Sequence, residues 1–305
     1  MRIDSLTYFT SSLTGIRDNQ AGIARLTQQL AADRRVLQPK DDPVATEQIL
    51  GLSNRIATRT QFASNQDRAS LALKYETTVL SEMQKAITGA RALLSSVDPA
   101  HDAALRETTA QRLSAYASQI LDLANTRDPA GNYIFGGFDT VNVPYANVLD
   151  GSGAATTYGG TPAPGGTRSI EVEVGRLIQV NDNLDGVFQA GVAGSDLLQE
   201  LDTAVGKLTA GIATAADLVN WQGVLDTAVG KLNSISYRVS TAYGEVDDVR
   251  ATSRALKLQE QNALYDIQAL DKEAAIMELQ LRQTTLEATQ RAYAKISNLT
   301  LFNFL

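Results

Sequence analysis

Apolar residues recur at seven-residue intervals in separate stretches of this chain. Ile16, Ile23, Leu30 and Leu37 form one series, with Phe9, Leu13 and Leu26 on nearby positions. That spacing predicts a helix over 5–37 with a coiled-coil-like seam. Asn19 and Asp33 interrupt its second row, so the helix is expected to pack against more than one neighbour. "QPKDDPVATEQIL" (38–50) then punctuates the chain. Asp42 suits an N-cap, because its carboxylate can accept from free first-turn amides, and Pro43 suits the first helical position. A long helix is predicted over 43–96, with Leu73, Leu80, Ile87 and Leu94 seven apart and Met83, Ala90 and Val97 completing the alternation. A third helix, over 101–127, carries Leu113, Tyr116, Ile120 and Leu123 on one stripe.

Helical periodicity stops at Gly131. Thirteen of the 22 glycines lie between 131 and 194, which marks a change of architecture there. "NYIFGGF" and "RSIEVEVGRLIQV" read as short strands; in the second, Ile170, Val172 and Val174 alternate with polar residues and Gly175 offers a turn. Residues 150–166 read as a loop or broad hairpin end. Helical sequence resumes near 195. "LDTAVGKL" occurs at 201–208 and again at 225–232, which two copies make a shared helical usage and not a solenoid. Ala263, Ile267, Leu270, Ala274, Met277 and Leu281 keep a 4–3 spacing, Leu286, Tyr293 and Ile296 extend an apolar stripe, and Asp271 in "QALDKEAA" is placed to cap a new helix. The fold class expected is mainly α: long heptad-patterned helices forming a bundle from both chain halves, with a small inserted β domain. The division expected is 1–40 plus 272–305 as terminal coiled-coil assembly segments, 41–130 plus 195–271 as a helical bundle, and 131–194 as the β insertion.

The tail "AKISNLTLFNFL" poses a separate problem. Wound at about 100° per residue from Leu299, Leu301 falls near ~200°, Phe302 near ~300°, Phe304 near ~140° and Leu305 near ~240°. Apolar groups then surround the axis, and such a helix must be covered on every side. Pairing the first helix with the last supplies one partner, and two helices cannot surround each other. The ends are therefore expected to assemble between molecules, through Ile16, Ile23, Leu30, Leu286, Tyr293, Ile296, Leu299, Phe302, Phe304 and Leu305.

Composition removes most alternatives. Charged residues make up 20% and the net charge is −7, which gives no electrostatic reason to seek nucleic acid or anionic membrane. No apolar run approaches the ~18 residues of a membrane span. Only Lys295 is basic within the last dozen residues, whereas interfacial helices carry a basic face. The start lacks a basic region followed by an apolar block, so no ordinary secretory signal is visible. Cysteine is absent, which excludes disulfides and thiol chemistry.

The one histidine, His101 in "DPAHDAALRE", reads as a solvated first-turn residue. "NDNLDG" (181–186) resembles the start of a calcium loop but has Val192 where the bidentate glutamate belongs. The glycine pairs at 159–160 and 165–166 lack the Lys-Ser/Thr of a phosphate loop. No acid, base and pocket come together, so neither an enzyme, a metal nor a cofactor is expected.

Several segments, met in order, resemble the flagellin superfamily, and within it the hook-associated protein 3 family of the hook–filament junction. The start "MRIDSLTYFTSSLTGIRDNQAGIARLTQQLAADRRV" is similar to that family's first helix, and "QPKDDPVATEQIL" to its signature of two aspartates before Pro-Val-Ala. "LANTRDPAGNYIFGGFDTVNVPY" (123–145) resembles its entry into the β domain, and "LEATQRAYAKISNLTLFNFL" its closing helix. One departure is Ala32-Asp33-Arg34, where many relatives carry Ser-Gly-Lys.

The resemblance implies a secreted structural subunit at the hook–filament junction. Its terminal helices would pack with those of copies of itself in a ring and with a neighbouring hook-associated protein and flagellin. It also implies type III export and a chaperone on the carboxyl-terminal region. A flagellin-type filament subunit and an intracellular coiled-coil adaptor are the alternatives.

Overall fold

The computed structural model describes residues 2–98, 102–154, 157–158, 166–188 and 196–302, with side chains over 10–98, 102–154, 166–188 and 196–295. The elements run in the order α1 (Arg2–Ala32), α2 (Pro43–Ser95), α3 (Ala103–Ala124), β1 (Tyr145–Ala146), β2 (Thr157–Tyr158), β3 (Ser169–Glu173), β4 (Arg176–Gln179), α4 (Asp185–Phe188), α5 (Leu197–Ala210), α6 (Ala215–Gln268) and α7 (Lys272–Phe302). The protein is mainly helical with a small β insertion, as the periodicity predicts. Two compact units result: Met1–Thr58 with Ala255–Leu305, and Arg59–Arg254.

The Arg59–Arg254 unit holds one continuous core. On α2, Ala69, Leu73, Leu80, Met83, Ile87, Ala90 and Leu94 are sealed from solvent; on α3, Ala110, Leu113, Ala117, Ile120 and Ala124 are. Tyr116 and Leu123, expected on the α3 stripe, pack only at its edge. The α6 face is the most regular: Leu218, Trp221, Leu225, Ala228, Leu232, Val239, Val246 and Val249 are buried, with Ile235 and Ala242 packed against them in the gaps. Seven-residue repetition on facing helices gives knobs-into-holes packing. Polar pairs along the rim fix the register of α2 against α6: Arg250 with Asp67, Gln84 Nε2 to Asn233 Oδ1 at 2.9 Å, and Arg91 to Asp226 at 2.6 Å. These pairs step in opposite directions along the two helices, so α2 and α6 are antiparallel.

Local chemistry ends each helix where it does. Asp102 caps α3, its carboxylate accepting from the Leu105 amide at 2.8 Å; His101 lies outside the described residues. Gly211, at φ 71°, closes α5 in the left-handed conformation. Thr214 and Asp217 then exchange side-chain-to-backbone hydrogen bonds in a reciprocal box that starts α6. The Lys207 ammonium at 2.6 Å and the Thr214 hydroxyl hold the Asp217 carboxyl down at about 2.

The β insertion is two separate two-stranded antiparallel ladders, β1 with β2 and β3 with β4. Gly175, at φ 74°, makes the β3–β4 turn, as expected. Val174 is 79% exposed, however, because a register shift between Glu171 and Glu173 ends the alternation after the buried Val172. "NYIFGGF" is not a strand pair either. Tyr133 makes a single bridge to Arg127, and the segment is a turn closed by the Asp139 amide on Gly136 O at 3.0 Å, with Tyr133, Ile134 and Phe135 buried. The calcium-like "NDNLDG" is a structural turn. Asn181 bonds to Gly137 O and the Arg168 amide, Asp182 pairs with Arg238, and Asp185 accepts from the Tyr145 hydroxyl. No metal-ligating cluster occurs among the described residues.

Asp202 ties the loop after β1 to α5. Buried on that helix, its two carboxylate oxygens accept from the amides of Gly151 and Gly153, each at 2.7 Å. Both glycines have positive φ, and Gly206 on the same helix face lets the Gly151 carbonyl approach so closely that a Cβ would stand 2.2 Å from it. Replacing Asp202 by alanine orphans two amides at once and is expected to cost about 1–3 kcal/mol in urea unfolding. An unchanged midpoint would show that solvent replaces the carboxylate there.

Candidate assembly interface on the terminal unit

In the unit formed by Met1–Thr58 and Ala255–Leu305, α1 packs against α7 in antiparallel fashion. Lys272, at the start of α7, meets Asp33, just past the end of α1, at 2.9 Å, an ion pair that raises the lysine's pKa. Further along, Arg282 lies over Gly22, where a Cβ would stand 2.5 Å from the guanidinium. Arg282 is held in place by Glu278 one turn away, at 2.7 Å.

The phase of α7 is set by its start. The chain leaves the helix at Ala269–Asp271, and Asp271 caps the new one, its carboxylate accepting from the Ala274 amide at 2.9 Å. This cap was legible in the sequence. Its effect on phase was not: the row expected through Ala274, Met277 and Leu281 is not the inner one. Ala275 is buried and Leu279, Arg282, Leu286, Thr289 and Tyr293 are half-buried, a row one residue out of step with the expectation. Ile276, Met277 and Leu281 consequently stand in solvent, at 46%, 65% and 66% exposure. A helix that buries one row and exposes a second apolar row has an unpartnered face.

The sequence-predicted assembly residues divide into three groups. Ile16, Ile23 and Leu30 on α1, and Leu286 and Tyr293 on α7, are half-buried beside the buried Leu26 and Ala275. Ile296, Leu299 and Phe302 belong to α7, but their side chains lie outside the described residues. Phe304 and Leu305 lie outside them altogether. Met277 and Ile276 join these groups as exposed apolar residues of α7.

The connector between α1 and α2 is organised by charge. α1 stops at Ala32, short of the expected Leu37, because Asp33 takes φ 53° and the Arg34 amide returns to Gln29 O at 3.1 Å. Aspartate is among the few residues that enter this region at modest cost. Gln29, buried on the last turn, donates to Arg35 O at 2.5 Å, and the Arg35 amide donates to Gln268 O at 2.9 Å, fastening the connector to the end of α6.

The two aspartates of the signature then take different tasks. Asp41 accepts from the amides of Gln38 and Leu37, which hold its pKa down, with Arg25 at 3.6 Å adding to the effect. Asp42 caps α2 through the Ala45 amide at 2.9 Å, the largest cause of its lowered pKa, and pairs with Arg35 at 3.0 Å. Grooves flank this knot on the surface. One is lined by Ala21, Arg25, Leu37 and Asp41, and another by Val44, Gly51, Leu52 and Ile267. Nothing in either brings a nucleophile, base and acid into register.

Known proteins match this arrangement along its length. Residues 3–140 fit the family model described as the bacterial flagellin N-terminal helical region. The chain is 24% identical to the flagellar hook-associated protein 3 of Escherichia coli and 26% identical to that of Salmonella typhimurium, with 99% of each chain covered in both cases. Its fold is also that of a putative flagellar hook-associated protein from Vibrio parahaemolyticus, at a TM-score of 0.67 and 18% identity, covering 75% of this chain and all of the other. The chain is thus similar from end to end to relatives of one name, flagellar hook-associated protein 3, and over residues 3–140 to the flagellin N-terminal helical region.

Proposed function

We propose that the chain is a structural subunit of the bacterial flagellum, exported from the cell, that joins hook to filament through the unpartnered faces of its terminal helices. The observation that carries this reading is the exposed apolar pair Met277 and Leu281, one turn apart on the side of α7 away from the row packed toward α1, with the exposed Ile276 about 100° round the helix from Met277. Each such side chain contributes about 1.5–3 kcal/mol when fully covered, so burying the row against another helix is a substantial drive to associate. The apolar tail at 299–305 continues the same demand. Residues 1–40 and 272–305 act as the assembly segments. The partners that fit are further copies of this chain in a ring, with a neighbouring hook-associated protein on one side and flagellin on the other. Before assembly, an export chaperone covers the carboxyl-terminal region.

The mechanism is mechanical. Helices with seven-residue rows tolerate small axial slips over similar side chains, which suits a joint between a bending tube and a stiffer one. The chemistry of the junction is thus burial and packing. No bond is made or broken.

Two experiments test the reading. Deleting residues 296–305 is expected to leave circular dichroism and melting of the Arg59–Arg254 unit intact while abolishing incorporation into flagella, scored by electron microscopy of a complemented null strain; normal filaments from the truncated protein would refute the role of the tail. Separately, Met277→Glu with Leu281→Glu is expected to change monomer stability by no more than about 0.5 kcal/mol, since both sites are solvated, yet to block assembly. A variant that assembles at wild-type level would remove the exposed row from the interface.

A further inference from the structure

The heptad row of α2 has one member that does not belong in a core. Between the sealed Leu73 and Leu80 stands Glu76, with no accessible surface, and neither of its carboxylate oxygens has a hydrogen-bond partner. Buried polar groups in folded proteins nearly always find partners, so an orphaned carboxylate in a well-packed row needs a reason. An isolated ionised carboxylate cannot be kept in such a place and takes up a proton instead. Burial accordingly pushes Glu76 up to about 7, against the opposing pull of Arg238 and Arg168.

The groups that face Glu76 come from three directions. Arg238 projects from α6, Arg168 from the segment entering β3, and Asp182, from the turn after β4, is joined to Arg238 as an ion pair. Asp182 is itself buried; one oxygen also accepts from Gln179 Nε2 at 2.8 Å, and the other has no partner. The Nε of Arg168 is buried without a partner, as is Oε1 of Gln66, earlier on α2. Two carboxylates and two guanidiniums thus act on one another here, with one ion pair formed and several buried hydrogen-bonding atoms left without partners.

We propose that Glu76 is a proton-operated latch on the β insertion. When neutral, it leaves Arg238 to Asp182, so the turn after β4 is pinned to α6; when ionised, it competes for Arg238 and Arg168 and loosens that pin. The insertion is not released outright. Gln66 Nε2 on Val172 O at 2.9 Å and Asn65 Nδ2 on Glu171 O at 2.8 Å tie β3 to α2 with groups that do not titrate. The effect is local to the turn at 180–184 and to Arg168.

The sign follows from the raised pKa. Between the ordinary value of 4.5 and about 7, the folded protein holds a proton that the unfolded chain has released. The latch's contribution is therefore fully present below the unfolded value and is lost as pH rises through the folded one.

The test uses the full-length protein and needs no variant at first: a carbon NMR titration of the Glu76 carboxyl, with hydrogen exchange at amides 180–184 corrected for intrinsic rates. Protection there is expected to fall about tenfold between about pH 5.5 and about pH 8.5, tracking the Glu76 titration. Glu76→Gln, a neutral isostere of the protonated acid, should keep the turn protected across the range. Asp182→Asn should leave it fast-exchanging at every pH. Constant protection in the wild type, an unshifted Glu76 titration, or the same pH dependence in Glu76→Gln would each overturn the proposal.

Discussion

A helix packed against a single partner can hide only the row that faces it, and α7 carries two apolar rows. The inner one, through Ala275, Leu286 and Tyr293, turns toward α1; the outer one, through Met277 and Leu281, faces water, as does Ile276 at its side. The assembly role proposed for this chain rests on that surplus. In the Arg59–Arg254 unit the opposite holds, since the rows of α2, α3, α5 and α6 close on one another and leave a sealed core. One part of the molecule is a finished bundle, and the other presents faces suited to a neighbour.

The connector and the signature aspartates serve this arrangement by holding the terminal helices to the chain without spending apolar surface. Asp33 ends α1 with a left-handed residue, Arg35 anchors the return through its backbone and side chain, and the Asp41 and Asp42 carboxylates organise the turn into α2 by accepting from four groups between them, with Arg25 adding an ion pair to Asp41. Polar atoms are satisfied locally there, which leaves the flanking helix faces free of competing hydrogen bonds. A junction subunit needs that separation of tasks, with polar contacts fixing the chain path and apolar contacts left for the partner.

Much of this was legible in the residues, and the exceptions have physical causes. The helices expected over 43–96 and 101–127, the Asp42 and Asp271 caps and the glycine turn at 175 all follow from spacing and cap chemistry. The phase of α7 did not, because three non-helical residues reset the angular count and a row read straight through 270 to 281 drifts onto the wrong side. The α6 row from Leu218 to Val249 was present in the spacing but obscured by the repeated "LDTAVGKL", whose two copies meet different fates. In the first, Asp202 binds loop amides; in the second, Asp226 makes a surface pair with Arg91. Val174 and "NYIFGGF" departed from strand expectations because a register shift and a glycine-closed turn override alternation over so few residues. Glu76 was visible as the missing apolar member between Leu73 and Leu80, though only the three-dimensional packing shows that it has no partner.

The central claim, that other molecules cover the outer face of α7, is most directly tested by the oxidation rate of Met277 in the free subunit and in isolated hook–filament assemblies. Met83, sealed in the core, serves as the internal control in both states. The account predicts that Met277 reacts readily with peroxide in the free protein and slows by about tenfold or more on assembly, while Met83 stays slow throughout. Equal reactivity of Met277 in the two states would contradict it.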